Sequence, residues 1–241
     1  FETDWTMKKK DLTEYLEVVR NLKKKYRGKI EIFLGLEVDY IPGIISPVSP
    51  EIQEISLDFT IGSVHFLGQL DNGYAWTVDS PLYEFEQGIG ASFGGDIKKA
   101  VECYYRHMNR MVEEHPPDII GHFDIIKMNN KYRRFFSEGE KWYRDIVYNS
   151  LSVVARSKCV LEINTGGVVR NSSGSLYPSE WILEECLKQN IPITVNSDTH
   201  NPSEVDGYFK ETFALLKKIG FTSQAQLTHS DRGPQWTKNS F

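Results

Sequence analysis

Leu12, Leu16, Val19, Leu22 and Tyr26 return at intervals of three and four residues. That spacing predicts a helix from about Met7 to Tyr26, with Gly28 placed to end it. An apolar run from Ile30 to Val38 reads as the first strand, and Pro42-Gly43, Ser46-Pro47 and Ser49-Pro50 then break the chain repeatedly. A second strand is expected from Phe59 to Phe66, followed by an irregular loop carrying Asp71-Asn72-Gly73. Ile97, Val101, Tyr104, Met108, Met111 and Val112 line one face of a long helix from about Gly95 to Glu114, and Pro116-Pro117 bars its continuation.

Ile119-Ile120 opens a third strand, and Ser137 with Glu140 three residues on forms a capping-box signature for a helix reaching about Ser157. Cys159 to Thr165 is a strand, and Pro178-Ser179-Glu180 starts a helix that runs to about Gln189. Ile191 to Asn196 is an apolar strand, and a last helix lies within Glu204 to Ile219. Residues 229–241 read as a polar tail. Strands that alternate with amphipathic helices imply a parallel sheet, either open or closed into a barrel, because parallel strands need crossover connections. With no internal repeat, low-complexity segment or linker, residues 1–241 are expected to form one domain.

Composition narrows the function. A net charge of -5 gives no electrostatic footprint for a nucleic-acid backbone, and Lys8-Lys9-Lys10 and Lys23-Lys24-Lys25 read as solvated helix positions. Cys103, Cys159 and Cys186 lie far apart without C-x-x-C spacing, which suggests neither a disulfide framework nor a thiolate zinc site and fits a reducing cytoplasm. No apolar stretch is long enough to span a membrane. Asn171-Ser172-Ser173 matches a glycosylation acceptor, but so short a match is common and the cysteine usage argues against a secreted setting.

The chemistry collects at strand ends. Glu37 stands in Gly35-Leu36-Glu37-Val38-Asp39-Tyr40, His65 in Gly62-Ser63-Val64-His65-Phe66 and His122 in Gly121-His122-Phe123-Asp124. Two later strands finish in Asn164-Thr165-Gly166-Gly167 and Asn196-Ser197-Asp198-Thr199-His200. In an α/β barrel such residues converge on one mouth although they are distant in sequence. Imidazole and carboxylate donors together suit Zn, Mn or Fe, and Asp198 and His200, two apart on extended chain, would point to one side. Arg133 or Arg134, and Arg170, are candidate phosphate forks. Trp76 and Asp79 read equally as a substrate wall or as loop packing. His107, His115 and His229 fall away from strand ends and read as structural.

Taken together these segments resemble the polymerase-and-histidinol-phosphatase (PHP) phosphoesterases, and within them the histidinol-phosphate phosphatases. The Gly-Leu-Glu-Val-Asp-Tyr-Ile-Pro-Gly stretch is the most specific match; Ser63 to Phe66, Trp76 to Asp79, Gly94-Gly95, Gly121 to Asp124, Asn164 to Gly166 and Ser197 to His200 support it. The resemblance implies a distorted seven-stranded TIM-like (β/α) barrel with three divalent metal ions, hydrolysing the small phosphomonoester L-histidinol phosphate in histidine biosynthesis. It implies Glu37, His65, His122, Asp198 and His200 as metal ligands, Asp198 and His200 also as catalytic residues, and Arg133 and Arg170 as substrate-binding residues. The family begins with a strand bearing His-x-His and has a further His after its second strand, and this chain, opening Phe1-Glu2-Thr3-Asp4, contains neither. The expectation is therefore a barrel whose N-terminal βα units are missing from this chain, with exposed strand edges that favour a homo-oligomer. The rival readings are another phosphoesterase of this barrel, such as a phosphatase or nuclease, and a non-catalytic metal- or phosphate-binding protein.

Overall fold

The structure is a computed structural model that describes residues 6–70, 73–170, 173–231 and 233–241. The Phe1 to Asp4 opening, the Asp71-Asn72 turn and the Asn171-Ser172 acceptor lie outside the described residues. After a turn of 3-10 helix, α1 (Leu12–Lys25) runs as the spacing predicts, and Gly28 follows it with φ 75°. No residue of α1 is buried. The helix is fastened by polar contacts instead: the Tyr15 hydroxyl donates to Gly35 O at 2.6 Å, and Lys23 pairs with Asp58, whose carboxylate also accepts Leu34 N–H at 2.6 Å.

The first strand, β1 (Gly35–Asp39), begins five residues later than the apolar run suggests, because Lys29 and Ile30 still hydrogen-bond back to Tyr26 O. A short α2 (Pro50–Gln53) leads to β2 (Phe59–Ser63). The expected single strand ends there, and the loop predicted next is a hairpin, β3 (Phe66–Gln69) with β4 (Ala75–Thr77). A helix that the pattern did not announce, α3 (Leu82–Phe93), follows, and then α4 (Ile97–Glu114), which starts on an Asp96 cap. Trp76 is fully buried, donates to Ser92 Oγ at 3.0 Å and meets Phe85 and Phe93 edge-on, so it is packing and not a substrate wall.

Two-residue β5 (Ile119–Ile120) precedes α5 (Lys141–Arg156). Ser137 and Glu140 do interact, Ser137 N–H donating to Glu140 Oε1 at 2.8 Å, but they close a turn ahead of the helix and do not cap it. Then come β6 (Val160–Asn164), a single turn α6 (Gly166–Val169), α7 (Glu180–Lys188), β7 (Ile193–Asn196) and α8 (Phe209–Ile219). The supposed polar tail is half of a hairpin, β8 (Ser223–Ser230) with β9 (Gly233–Ser240), paired over its full length.

The central sheet is parallel throughout, in the order β1-β2-β5-β6-β7, and every residue of β6 is buried, as expected of a strand covered on both faces. Among the described residues its ladder does not close into a barrel. The terminal hairpin reaches across the gap instead: Val195 N–H of β7 donates to Gln224 Oε1 at 2.9 Å, while His229 stacks on Phe33 and donates its N–H to Glu31 Oε1 at 3.0 Å, just ahead of β1. The carboxyl ends of the parallel strands therefore face one common mouth.

Candidate metal centre

Three side chains meet at that mouth. Glu37 lies within β1 and its in-register neighbour strand β2 delivers Ser63, whose hydroxyl donates to Glu37 Oε1 at 2.6 Å. His65 follows two residues on, its backbone held by Val78 N–H donating to His65 O at 2.9 Å. His122 follows β5 with an unusual φ of 20° and donates its N–H to Glu162 Oε2 at 2.8 Å. Gly121 just before it leaves room for this approach, since a Cβ there would lie 2.4 Å from Ser63 Oγ.

Glu37 Oε1 and His65 Nε2 each lie 3.1 Å from His122 Nε2, and Glu37 Oε1 is 3.9 Å from His65 Nε2. Ligands about 2.0–2.2 Å from a tetrahedral zinc ion stand about 3.3–3.6 Å apart, so this triangle has the size and the donor chemistry for one ion. Burial pushes the Glu37 carboxyl up, but the His122 hydrogen bond, the charges of His122 and His65 and the Ser63 hydroxyl together hold it far below the usual carboxylate range. Burial opposes protonation of His65, yet the Asp39 hydrogen bond and charge, with Asp79 and Glu37 behind them, carry its pKa up to about 10. His122 is also raised, Glu37 outweighing the effect of burial and of His65.

Asp198 stands apart from this triangle. Its carboxylate receives Arg170 Nη2 at 2.7 Å and Asn164 Nδ2 at 3.1 Å, and a second Arg170 nitrogen donates to Asp198 O. Its backbone is left-handed at φ 47°, not extended as the i, i+2 argument assumed. The two side chains nevertheless come together, His200 Nε2 lying 3.6 Å from Asp198 Oδ1, with the His200 side chain 76% exposed. Arg133 is exposed on a left-handed turn (φ 59°) with Tyr132, and Arg134 is committed to Glu86 of α3 at 2.8 Å. Of the basic candidates, Arg170 is the one the fold brings to the Asp198 loop. His107 lies beside Cys103, His115 tilts on Tyr40 and His229 stacks on Phe33, all outside the triangle.

The residues beneath the mouth were not assigned from the sequence. Glu162, 3% exposed, accepts from His122 N, from Asn164 Nδ2 at 3.0 Å and from Asn196 Nδ2 at 2.9 Å. Asp124 and Lys127, both buried, pair at 2.8 Å; Lys127 also donates to Leu176 O and Ser179 Oγ, tying the His122 loop to the start of α7. Alternation offered the signal for Glu162: it is two residues before Asn164 and so on the same strand face. Glu37, His122, Glu162, Asn164 and Asp198 line one cavity of about 550 Å³ with Phe209 and Trp236.

Residues 3–166 match the model of the PHP domain. Over 217 residues the chain is 30% identical to a histidinol-phosphatase of Bacillus subtilis, covering 87% of this chain and 78% of the relative. Among solved structures, a Listeria monocytogenes protein described as a histidinol phosphatase superposes with a TM-score of 0.75 at 24% identity, covering 85% of this chain and 77% of its own. The histidinol phosphate phosphatase of Lactococcus lactis, solved with zinc, L-histidinol and phosphate, gives a TM-score of 0.62 at 20% identity and covers 93% of this chain and 79% of its own. These two likenesses show a shared fold.

Proposed function

We propose, from the premise that the chain belongs to the PHP domain family, that it is a metal-dependent phosphomonoesterase hydrolysing L-histidinol phosphate to L-histidinol and phosphate, a step of histidine biosynthesis. The observation that carries the metal dependence is the convergence of Glu37 Oε1, His65 Nε2 and His122 Nε2 within 3.9 Å. The substrate follows from the curated relative and the ligand-bound neighbour.

Glu37, His65 and His122 would hold one divalent ion, and Asp198 with His200 would supply ligands from the adjoining loop, in a centre of up to three Zn, Mn or Fe ions. Such ions supply Lewis acidity toward phosphoryl oxygen and lower the pKa of water. Arg170, whose two terminal nitrogens donate to Asp198, would turn its planar fork to the phosphate group once the Asp198 carboxylate is engaged by a metal, with Arg133 as the second candidate. Its place depends on Gly166, where a Cβ would lie 2.4 Å from Arg170 Nη2. Glu162 and Asn164 hold the His122 and Asp198 loops in register, so the ligand geometry is set before substrate arrives.

Among the described residues no helix is long and apolar enough to cross a membrane. A cytoplasmic location and self-association belong to the same reading, although the terminal hairpin lies against β7 and the segment ahead of β1; a monomer in sedimentation would overturn the second. The function is tested by supplying the protein with Zn²⁺ or Mn²⁺ and measuring phosphate release from L-histidinol phosphate. Turnover of a different phosphomonoester alone would overturn the substrate. Metal bound in stoichiometric amount with no phosphoester cleaved would replace the enzyme with a metal-binding protein.

A further inference from the structure

We infer that Asp39 is a positioning residue that turns the His65 imidazole so that Nε2 faces the metal. Strand alternation puts Asp39 on the same face of β1 as Glu37, two residues before it. The parallel register pairs Asp39 with Ser63, and Tyr40 N–H donates to Ser63 O at 2.8 Å, which brings the end of β1 alongside the turn that carries His65. There Asp39 Oδ1 lies 2.6 Å from His65 Nδ1.

A carboxylate can only accept, so the proton between them sits on Nδ1 and the lone pair of the neutral ring is left on Nε2. That is the nitrogen 3.1 Å from His122 Nε2 and on the side of Glu37. The opposite tautomer would place a hydrogen among the ligand atoms and repel a cation. Asp39 thereby fixes both the tautomer and the ring plane and increases the basicity of the donor nitrogen, the part that outer carboxylates take around metal-bound histidines. The side chain is 21% exposed, so water competes for it less than at a surface pair. This inference rests on the metal-centre reading above.

The test is zinc affinity, measured by competition with a chromophoric chelator on Asp39→Ala, Asp39→Asn and His65→Ala, with ¹⁵N–¹H correlation of the His65 ring as the second readout. Asp39→Ala should weaken zinc binding by about 10- to 100-fold with an unchanged circular dichroism spectrum, and in the zinc-loaded protein the His65 ring should lose its single Nδ1–H form. Asp39→Asn keeps an accepting oxygen without the charge, so it should retain the tautomer and fall between the parent and the alanine variant. Zinc affinity within about twofold of the parent in Asp39→Ala, while His65→Ala loses binding, would overturn the inference and leave the metal centre standing. Unchanged binding in His65→Ala would overturn the metal centre itself. Should Asp39→Ala not fold, parent-like affinity together with a scrambled His65 tautomer in Asp39→Asn would overturn it equally.

Discussion

His65 and His122 turn their Nε2 atoms toward one another across 3.1 Å, and nearby carboxylates bias both rings toward protonation. A metal and protons therefore compete for the same two nitrogens. With the His65 pKa carried to about 10, zinc binding at neutral pH should release protons, seen as a dependence of the calorimetric heat on buffer ionisation enthalpy. Affinity should rise with pH by up to about tenfold per unit for each proton displaced, and a flat profile from pH 6 to 8 would contradict this. In the metal-free protein the sign reverses. A raised His pKa contributes stability that is fully present below 6.5 and is lost as pH rises toward 10, so apo stability should fall across that window while zinc-bound stability does not.

Arg170 tests the phosphate reading. Arg170→Lys keeps the charge but loses the fork that spans Asp198 Oδ2 and Asp198 O. A hydrogen bond to a charged group is worth about 1.5–3 kcal/mol, so KM for the phosphomonoester should rise about 10- to 100-fold. Gly166→Ala, which pushes a methyl against the guanidinium, should raise KM in the same direction. Steady-state kinetics decide it, and an unchanged KM in both variants would remove Arg170 from the substrate site.

Gly88→Ala probes the part of the fold that the sequence hid. Helix α3 carries Gly88 and Gly90 in its interior, and glycine lowers helix propensity by about 1 kcal/mol each, which masked the element from a propensity argument. Gly88 is there because the Trp76 indole packs on it: a Cβ would lie 2.1 Å from the ring. The alanine variant should lose about 1–3 kcal/mol in urea unfolding despite its better propensity, and a gain in stability would show that the indole can move aside.

The same contrast explains what could be read in advance. Helix α4 was legible almost to the residue because its face repeats Val101, Tyr104, Met108 and Met111, all fully buried. Strand ends were legible as places where polar residues follow apolar runs, and Glu37, His65 and His122 do meet in space. What local pattern could not supply is the backbone beyond the strand. The left-handed φ at Asp198 takes the chain off the extended path, and Asp198 is held there by Arg170 and Asn164, both more than twenty residues away in sequence. The terminal hairpin was missed for a similar reason: its partly exposed, polar strands carry no apolar run, and their stability comes from pairing with one another.

Glu162 is where the site and the fold are joined. Among the described residues no lysine or arginine pairs with it, and desolvation raises its carboxyl even though His122 and the amides of Asn164 and Asn196 pull the other way. Three donors, His122 after β5 and Asn164 and Asn196 at the ends of β6 and β7, depend on this one carboxylate, and one of them, Asn164, passes the restraint on to Asp198. Glu162→Ala would leave those donors buried without an acceptor, at about 1–3 kcal/mol for each that water cannot reach, so the loss in urea unfolding should be about 2–4 kcal/mol. Glu162→Gln keeps the volume and one accepting oxygen but sets an NH₂ against amide donors, so its loss should be smaller. Because His122 and Asp198 lie on opposite sides of this network, both variants should also bind zinc more weakly than the parent. A variant that loses stability yet keeps parental zinc affinity would show that the two loops hold their geometry independently of Glu162.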